Sequence, residues 1–187
     1  MPYPFFNIKN MACALTSGRT EPCKDAVGGI KKAIFLDYVE NAFTVVAGEA
    51  TAVNVAVTEV FEYELRADNN TFTESIVSDK NTGTTVNTQT AEIRLKKQTL
   101  ESANEIKLMA YGRPIIIFVG YDNSYKVMGL SEGSDLTGSN IQSGGVKTDF
   151  NGYDLTFTAM ETSLAPYLDA ATITAVEALV SNTNIAV

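Results

Sequence analysis

The chain contains no histidine, no tryptophan and only two cysteines in 187 residues. Without histidine it lacks the commonest general base and the commonest metal ligand, so any catalysis would rest on carboxylates or lysine. Serines such as Ser17 and Ser143 have no imidazole to activate them, and no spacing singles out a Ser–Lys pair. Cys13 and Cys23 cannot furnish a four-ligand zinc site by themselves. Their separation allows an intrachain disulfide, and reduced thiols in a protein made in a cytosol are the equal alternative. Positive charge is scarce too: 14 Lys and Arg against 22 Asp and Glu leave a net charge of −8. Such a surface repels phosphate, which argues against ordinary nucleic-acid affinity, and no polybasic run addresses a membrane surface. No apolar run is long enough to cross a bilayer. The opening MPYPFFNIKN has no basic segment followed by an apolar one, so the expectation is a soluble protein without a signal peptide.

What is present describes one mainly β domain over residues 1–187. Hydrophobic residues make up 45% and charged residues 19%, a globular composition with enough chain for one core. Residues 1–30 read as an irregular N-terminal arm, with Pro2 and Pro4 early and Gly28-Gly29 late. Strands are expected at residues 31–39 and 43–47, with a tight turn near Glu40-Asn41 between them. Alternation at Val53, Val55 and Val57, and again at Phe61, Tyr63 and Leu65 opposite Glu62 and Glu64, predicts strand over residues 53–67. Residues 98–111 predict a helix with Leu100, Ala103, Ile106 and Ala110 at helical spacing, Thr99 as N-cap and Gly112 just past the end. The apolar run IIIFV at 115–119 reads as a central strand, followed after Asp122-Asn123-Ser124 by its hairpin partner at 125–130. Residues 131–145 read as a Gly/Ser-rich loop, residues 153–160 as a strand with one buried face, and residues 165–181 within the C-terminal segment 165–187 as a short helix. The sum is a β-sandwich or distorted barrel with one flanking helix.

The feature that stands apart is the stretch 71–96. Two long β-prone arms, Thr71–Asp79 and Thr84–Lys96, flank the turn signal Lys80-Asn81-Thr82-Gly83. Both arms carry Thr, Ser, Asn and Gln where a sandwich strand would carry Val, Ile and Leu. A strand needs a buried face, and a two-stranded ribbon alone is marginal in water. The expectation is therefore a protruding hairpin completed by other copies of the chain. Glu62, Glu64, Thr73, Ser75, Lys80, Asn81, Thr82, Gly83, Thr85, Asn87 and Gln89 are the candidate inter-subunit or lumen-facing residues.

Other clusters have plainer readings. Gly28-Gly29 and the glycines between 129 and 145 match neither a P-loop nor a dinucleotide fingerprint, and read as turns. Glu59, Glu62 and Glu64, and likewise Asp149, Asp154 and Glu161, are acidic groups of the kind that do acid–base work or hold a divalent cation, but a solvated strand face explains them as well. No catalytic residue, cofactor or metal site is expected.

The runs LMAYGRPIIIFVGYDNSYKVMGLSEG (108–133), GGVKTDFNGYDLTFTAME (144–161) and ACALTSGRTEPCKDAVGGIKKAIF (12–35) resemble structural proteins of tailed bacteriophages, especially those infecting Bacteroidetes. The resemblance implies a tail-tube-like protein: a β-sandwich flanked by a helix, with a long hairpin for stacking. It implies homo-oligomeric, hexameric rings stacked around a lumen through which DNA passes without specific binding. It also implies contacts with other tail or neck proteins, and a place in the virion after synthesis in the host cytoplasm. A collar, terminator or connector ring of the same fold is the alternative within this class. A carbohydrate-binding or metal-dependent β-sandwich module is the alternative outside it, and an enzyme is not expected.

Overall fold

The computed structural model of the chain describes residues 15, 17–21, 23–66, 69–181 and 185. Among these, the element order is β1 (Ile30–Leu36), β2 (Phe43–Val46), β3 (Glu49–Val53), β4 (Phe61–Glu64), β5 (Thr71–Asp79), β6 (Thr84–Lys96), α1 (Leu100–Tyr111), β7 (Ile115–Gly120), β8 (Tyr125–Met128), β9 (Asp135–Gln142), β10 (Gly152–Glu161), β11 (Tyr167–Leu168) and α2 (Ala170–Ala178). The described residues between 15 and 29 carry no helix or strand, and each is exposed. Cys23 is exposed, while its candidate partner Cys13 lies outside the described residues, as does Ala67, the last residue of the expected 53–67 strand.

The strands form a seven-stranded sheet, ordered β2-β3-β11-β8-β7-β1-β4, and a four-stranded antiparallel sheet, ordered β5-β6-β10-β9. Neither closes into a barrel. The larger sheet is the middle layer. Its strand β7 is apolar at every position because both faces are covered. Ile116 and Phe118 point toward the small sheet, where they join Phe35, Ile93, Leu155 and Phe157 in one core. Ile115, Ile117 and Val119 point the other way and meet Val60, Leu168 and Val176 in a second core beneath α2. Phe118 stacks on Phe72 of β5 with ring centroids 5.1 Å apart, which ties the two sheets together. Tyr63 packs edge-on against Phe35 at 5.0 Å, and burial raises its phenol pKa to about 12.

Helix α1 begins where the sequence places it, with Thr99 Oγ1 accepting from the Ser102 amide at 3.1 Å. It runs alongside β9: Gln98 Nε2 donates to the Gln142 carbonyl at 2.7 Å at its start, and the Ser134 amide donates to Pro114 at 2.9 Å past its end. Its buried residues are Ile106 and Met109, so Leu100, expected inward, is instead 73% exposed. Gly112 caps the helix with an extended backbone, φ −89°, and its amide donates to Leu108 at 2.9 Å.

Three expectations are corrected. The strand expected through Val57 ends at Val53, because Asn54 turns the chain. Its side-chain oxygen accepts from the Ala56 amide at 2.9 Å and its carbonyl from the Val57 amide at 3.0 Å, which leaves Val57 buried and Val55 exposed. The Gly/Ser-rich loop at 131–145 holds a full strand, β9, paired with β10 through a register shift. The helix expected over residues 165–181 is present but shorter, α2 at Ala170–Ala178, capped by Asp169 accepting from the Thr172 amide at 2.7 Å, because the two-residue strand β11 takes up the start of that stretch.

Candidate subunit interface on the four-stranded sheet

The small sheet has one face in the core and one in solvent. In β10 the alternation is strict: Tyr153, Leu155, Phe157 and Ala159 are buried, while Asp154, Thr156 and Thr158 face outward. Register then fixes the outward face of its neighbours, since Thr158 lies opposite Thr90, Thr156 opposite Glu92 and Asp154 opposite Arg94. On β5 the outward residues are Thr71, Thr73 and Ser75, opposite Glu92, Thr90 and Thr88. The result is a face of short hydroxyl side chains. They bond to one another and to the ladder: Thr137 Oγ1 lies 2.9 Å from Thr158 Oγ1, and Thr73 Oγ1 donates to the Thr90 carbonyl at 3.4 Å.

Charge on this face is partly cancelled in place. Arg94 grips Asp154 through two contacts, 2.5 Å from Nε to Oδ1 and 2.9 Å from Nη2 to Oδ2, and its guanidinium sits 4.5 Å from the Phe150 ring centre. The hydrogen bond to Asp154 raises the Arg94 pKa further, so the arginine stays charged. A depression of about 380 Å³ lies over this pair, lined by Asn69, Thr71, Glu92 and Thr156 among others. Among the described residues no group of three or more Cys, Asp or Glu is placed to hold a metal ion.

Among the described residues, β5 and β9 each pair on one side only, so both edges of the sheet are open. Nine successive residue pairs join β5 to β6 without a bulge, and β5 carries no proline and no lysine; its two charges are Glu74, bonded inward to Gln89, and Asp79 at the tip. Isolated proteins usually blunt such an edge with charge, proline or a bulge.

The hairpin expected from the sequence occupies the expected boundaries, Thr71–Asp79 and Thr84–Lys96, and it divides into two halves. The half nearer the body is internal. Gln89, 1% exposed, donates from Nε2 to Glu74 Oε1 at 3.3 Å and accepts from the Gly129 amide at 3.0 Å. Glu74 also accepts from the Ala165 amide at 2.7 Å. Close by, the buried Glu161 accepts from the Ser131 amide at 2.9 Å. Gly129 makes this junction possible: its φ is 72°, and a Cβ there would lie 2.7 Å from the Gly133 carbonyl carbon. Gln89 and Asn87, expected as lumen or interface residues, are instead buried within the fold. The polarity of Gln89 is satisfied within the chain.

The outer half has no core of its own. Thr85 lies 3.0 Å from Ser78 across the ribbon. The turn at Lys80, Asn81, Thr82 and Gly83 is set by Asp79 Oδ1 accepting from the Asn81 amide at 2.7 Å and by the left-handed Gly83, φ 67°. Thr73 and Ser75 sit on the outward face of the sheet.

Glu62 and Glu64 do not join this group. They belong to β4 in the other sheet, on the side that faces α2, because β4 pairs with β1. Glu62 lies 2.8 Å from Lys32 and Glu64 3.1 Å from Arg66. Sequence reasoning missed Thr137, Thr156 and Thr158 as part of the hydroxyl face. The alternation around Leu155 and Phe157 was the signal that placed the β10 pair outward.

Compared with known proteins, the chain matches no protein-family model, no curated protein and no solved structure. Among the described residues, no helix is long and apolar enough to cross a membrane.

Proposed function

We propose that the chain is a structural subunit of a homo-oligomeric ring of the tail-tube type, stacked into a tube whose lumen conducts DNA in a bacteriophage virion. The observation that carries the reading is the four-stranded sheet with a hydroxyl-rich solvent face and two unpaired edges. Its strands alternate in direction, and there is an even number of them. When identical copies are related by rotation about an axis along the strands, β9 of one copy runs antiparallel to β5 of the next. The ladder then continues from copy to copy until the ring closes, and a closed barrel has no edges to protect. A hexameric ring is one such closure.

The chemistry of the face supports a conduit. Hydroxyls and the Arg94–Asp154 pair offer a hydrated wall without a row of cations, so a phosphate backbone meets no array of counter-charges to hold it. The overall charge of −8 acts in the same direction.

Electron microscopy of the purified protein at high concentration tests the reading. Rings or tubes are expected, and a monodisperse monomer at every concentration would overturn it. Hydrogen exchange adds a local readout. Outward-facing amides of β5 and β9 should exchange readily in the monomer and become protected on assembly.

A further inference from the structure

Beyond Asn87, which pairs with Glu161 at the end of β10, the hairpin continues as a two-stranded ribbon. Three residues of each arm project beyond that pair, roughly 10 Å at strand rise, before the turn. Ile76, Val77 and Val86 on this ribbon are 58%, 61% and 38% exposed, with Val77 directly opposite Val86 and Ile76 on the other side. The ribbon is nonetheless regular to its last pair, Asp79 with Thr84. It is a preformed element with an apolar residue on each side that no described residue covers.

A second apolar patch lies at the opposite end of the same sheet. Leu100 at the start of α1, Ile141 at the end of β9 and Val146 in the following loop are all more than half exposed. They are brought to one end of the sheet by local contacts. Gln98 bonds the Gln142 carbonyl, Tyr153 OH donates to the Thr99 carbonyl at 3.3 Å, and the Asp149 carboxylate accepts from the Gly145 and Val146 amides at 2.8 and 2.9 Å. Those two amides hold the Asp149 pKa below the usual carboxylate range, Val146 contributing most.

The two ends also differ in charge. At the ribbon end, Asp79, Glu132 and Asp135 are exposed, with Lys80 on the turn and Arg113 4.0 Å from Glu132. At the far end, Lys96, Lys97 and Lys147 are exposed, against Glu101 and the already engaged Asp149.

We infer that the ribbon tip of one copy seats on the Leu100–Ile141–Val146 patch of a second copy, end to end along the strand direction. The inference rests on the tail-tube reading and names the surface that receives the hairpin. Apolar meets apolar, and an acidic end meets a lysine-bearing one. The two surfaces are different patches of the same chain, so the contact is head-to-tail and leaves a free ribbon and a free patch at the ends of every stack. It supplies growth along an axis, whereas the β5–β9 edges supply closure around it.

The test places the photo-crosslinker p-benzoylphenylalanine at position 77 and irradiates the full chain at assembling concentration. Interchain adducts on peptides holding Leu100 or residues 141–147 are expected. Adducts elsewhere, or none between chains, would overturn the inference whether or not tubes are seen. Val77→Asp and Lys147→Glu give a second readout. Both residues are exposed, so each variant should fold, keep rings and raise the concentration needed for tubes at least about tenfold, the equivalent of 1.4 kcal/mol. Tubes unchanged in both variants would overturn the proposed seat and leave the ring reading standing. Absence of rings in the unaltered protein would instead sink the ring reading, with the crosslink deciding the seat separately.

Discussion

The seven-stranded sheet is covered on both faces, whereas the four-stranded sheet is covered on one. In the first, β7 reads Ile115-Ile116-Ile117-Phe118-Val119, with all five buried. In the second, β10 alternates a buried aromatic or aliphatic residue with an outward Asp or Thr. The difference separates two jobs. The larger sheet holds the subunit together by burying apolar area on both sides, at roughly 25 cal/mol per Å² removed from water. The smaller one spends half of its side chains on that task and leaves the other half, together with two open edges, facing solvent, where the proposed contacts between copies would form.

The largest effect should come from breaking the contact between the two sheets. Phe118→Ala removes a ring that is 3% exposed and stacked on Phe72. A buried Phe→Ala change costs about 3–5 kcal/mol. Denaturant unfolding of the monomer should show that loss in the midpoint, and a shift below about 1 kcal/mol would mean the sheets are not held together through this ring.

A smaller effect is expected where the small sheet's hairpin joins the body. Gln89→Leu keeps the volume similar and strips both hydrogen bonds, leaving the Gly129 amide unpaired beside Glu74. Leaving a buried donor unsatisfied costs about 1–3 kcal/mol. Chemical denaturation checks the size, and hydrogen exchange at Gly129 checks the cause, since its amide should lose protection ahead of β7.

The same comparison explains which parts of the molecule were legible in its sequence. Apolar runs and clean alternation are direct images of burial, so β7, β10 and both arms of the hairpin stand where the pattern places them. Strand β9 escapes the pattern because Leu136 and Ile141 are an odd number of residues apart, and the register shift against β10 breaks the period that would have revealed them. Strand β3, with the sequence EATAV, is too small-sided to stand out. Its turn rests on Ala47 and Gly48, both with positive φ, a weaker signal than Asn-Gly. The hairpin's polarity was read as absence of a core. Asn87 and Gln89 are buried instead, Gln89 with both ends of its amide bonded, and composition alone cannot separate an exposed amide from a buried one. Which strands share a sheet was not legible either. Glu62 and Glu64 are close to the hairpin in sequence, yet pairing of β4 with β1 carries them into the other layer.

At the flank of the sandwich the expected effect is about 1 kcal/mol. Thr99→Ala removes the side-chain oxygen that accepts the Ser102 amide at the start of α1. The loss should appear in thermal unfolding as a small fall in Tm, and Thr99→Ser should recover most of it. If Ala and Ser behave alike, the helix start is held by its packing against β9 and not by the cap.

The smallest effect on the subunit should lie on the hydroxyl face itself. Thr158→Ala deletes one side of the 2.9 Å contact with Thr137, at a position that is half-buried and faces solvent. Substitutions of this kind usually stay within about 0.5 kcal/mol. Thr158→Ile keeps the β-branch, suits a strand and adds apolar surface, so the isolated subunit should tolerate it equally well. The two variants therefore separate folding from what the face meets. If the outward face lines a hydrated lumen, both should match the unaltered protein in denaturant midpoint and in the tubes they form, because nothing packs against position 158. If instead another protein surface covers the face, the added side chain of Thr158→Ile should block or tighten that contact. Assembly would then change while stability of the monomer does not, and the division of labour between the two sheets would have to be redrawn with the small sheet as a packed interface and not a wall.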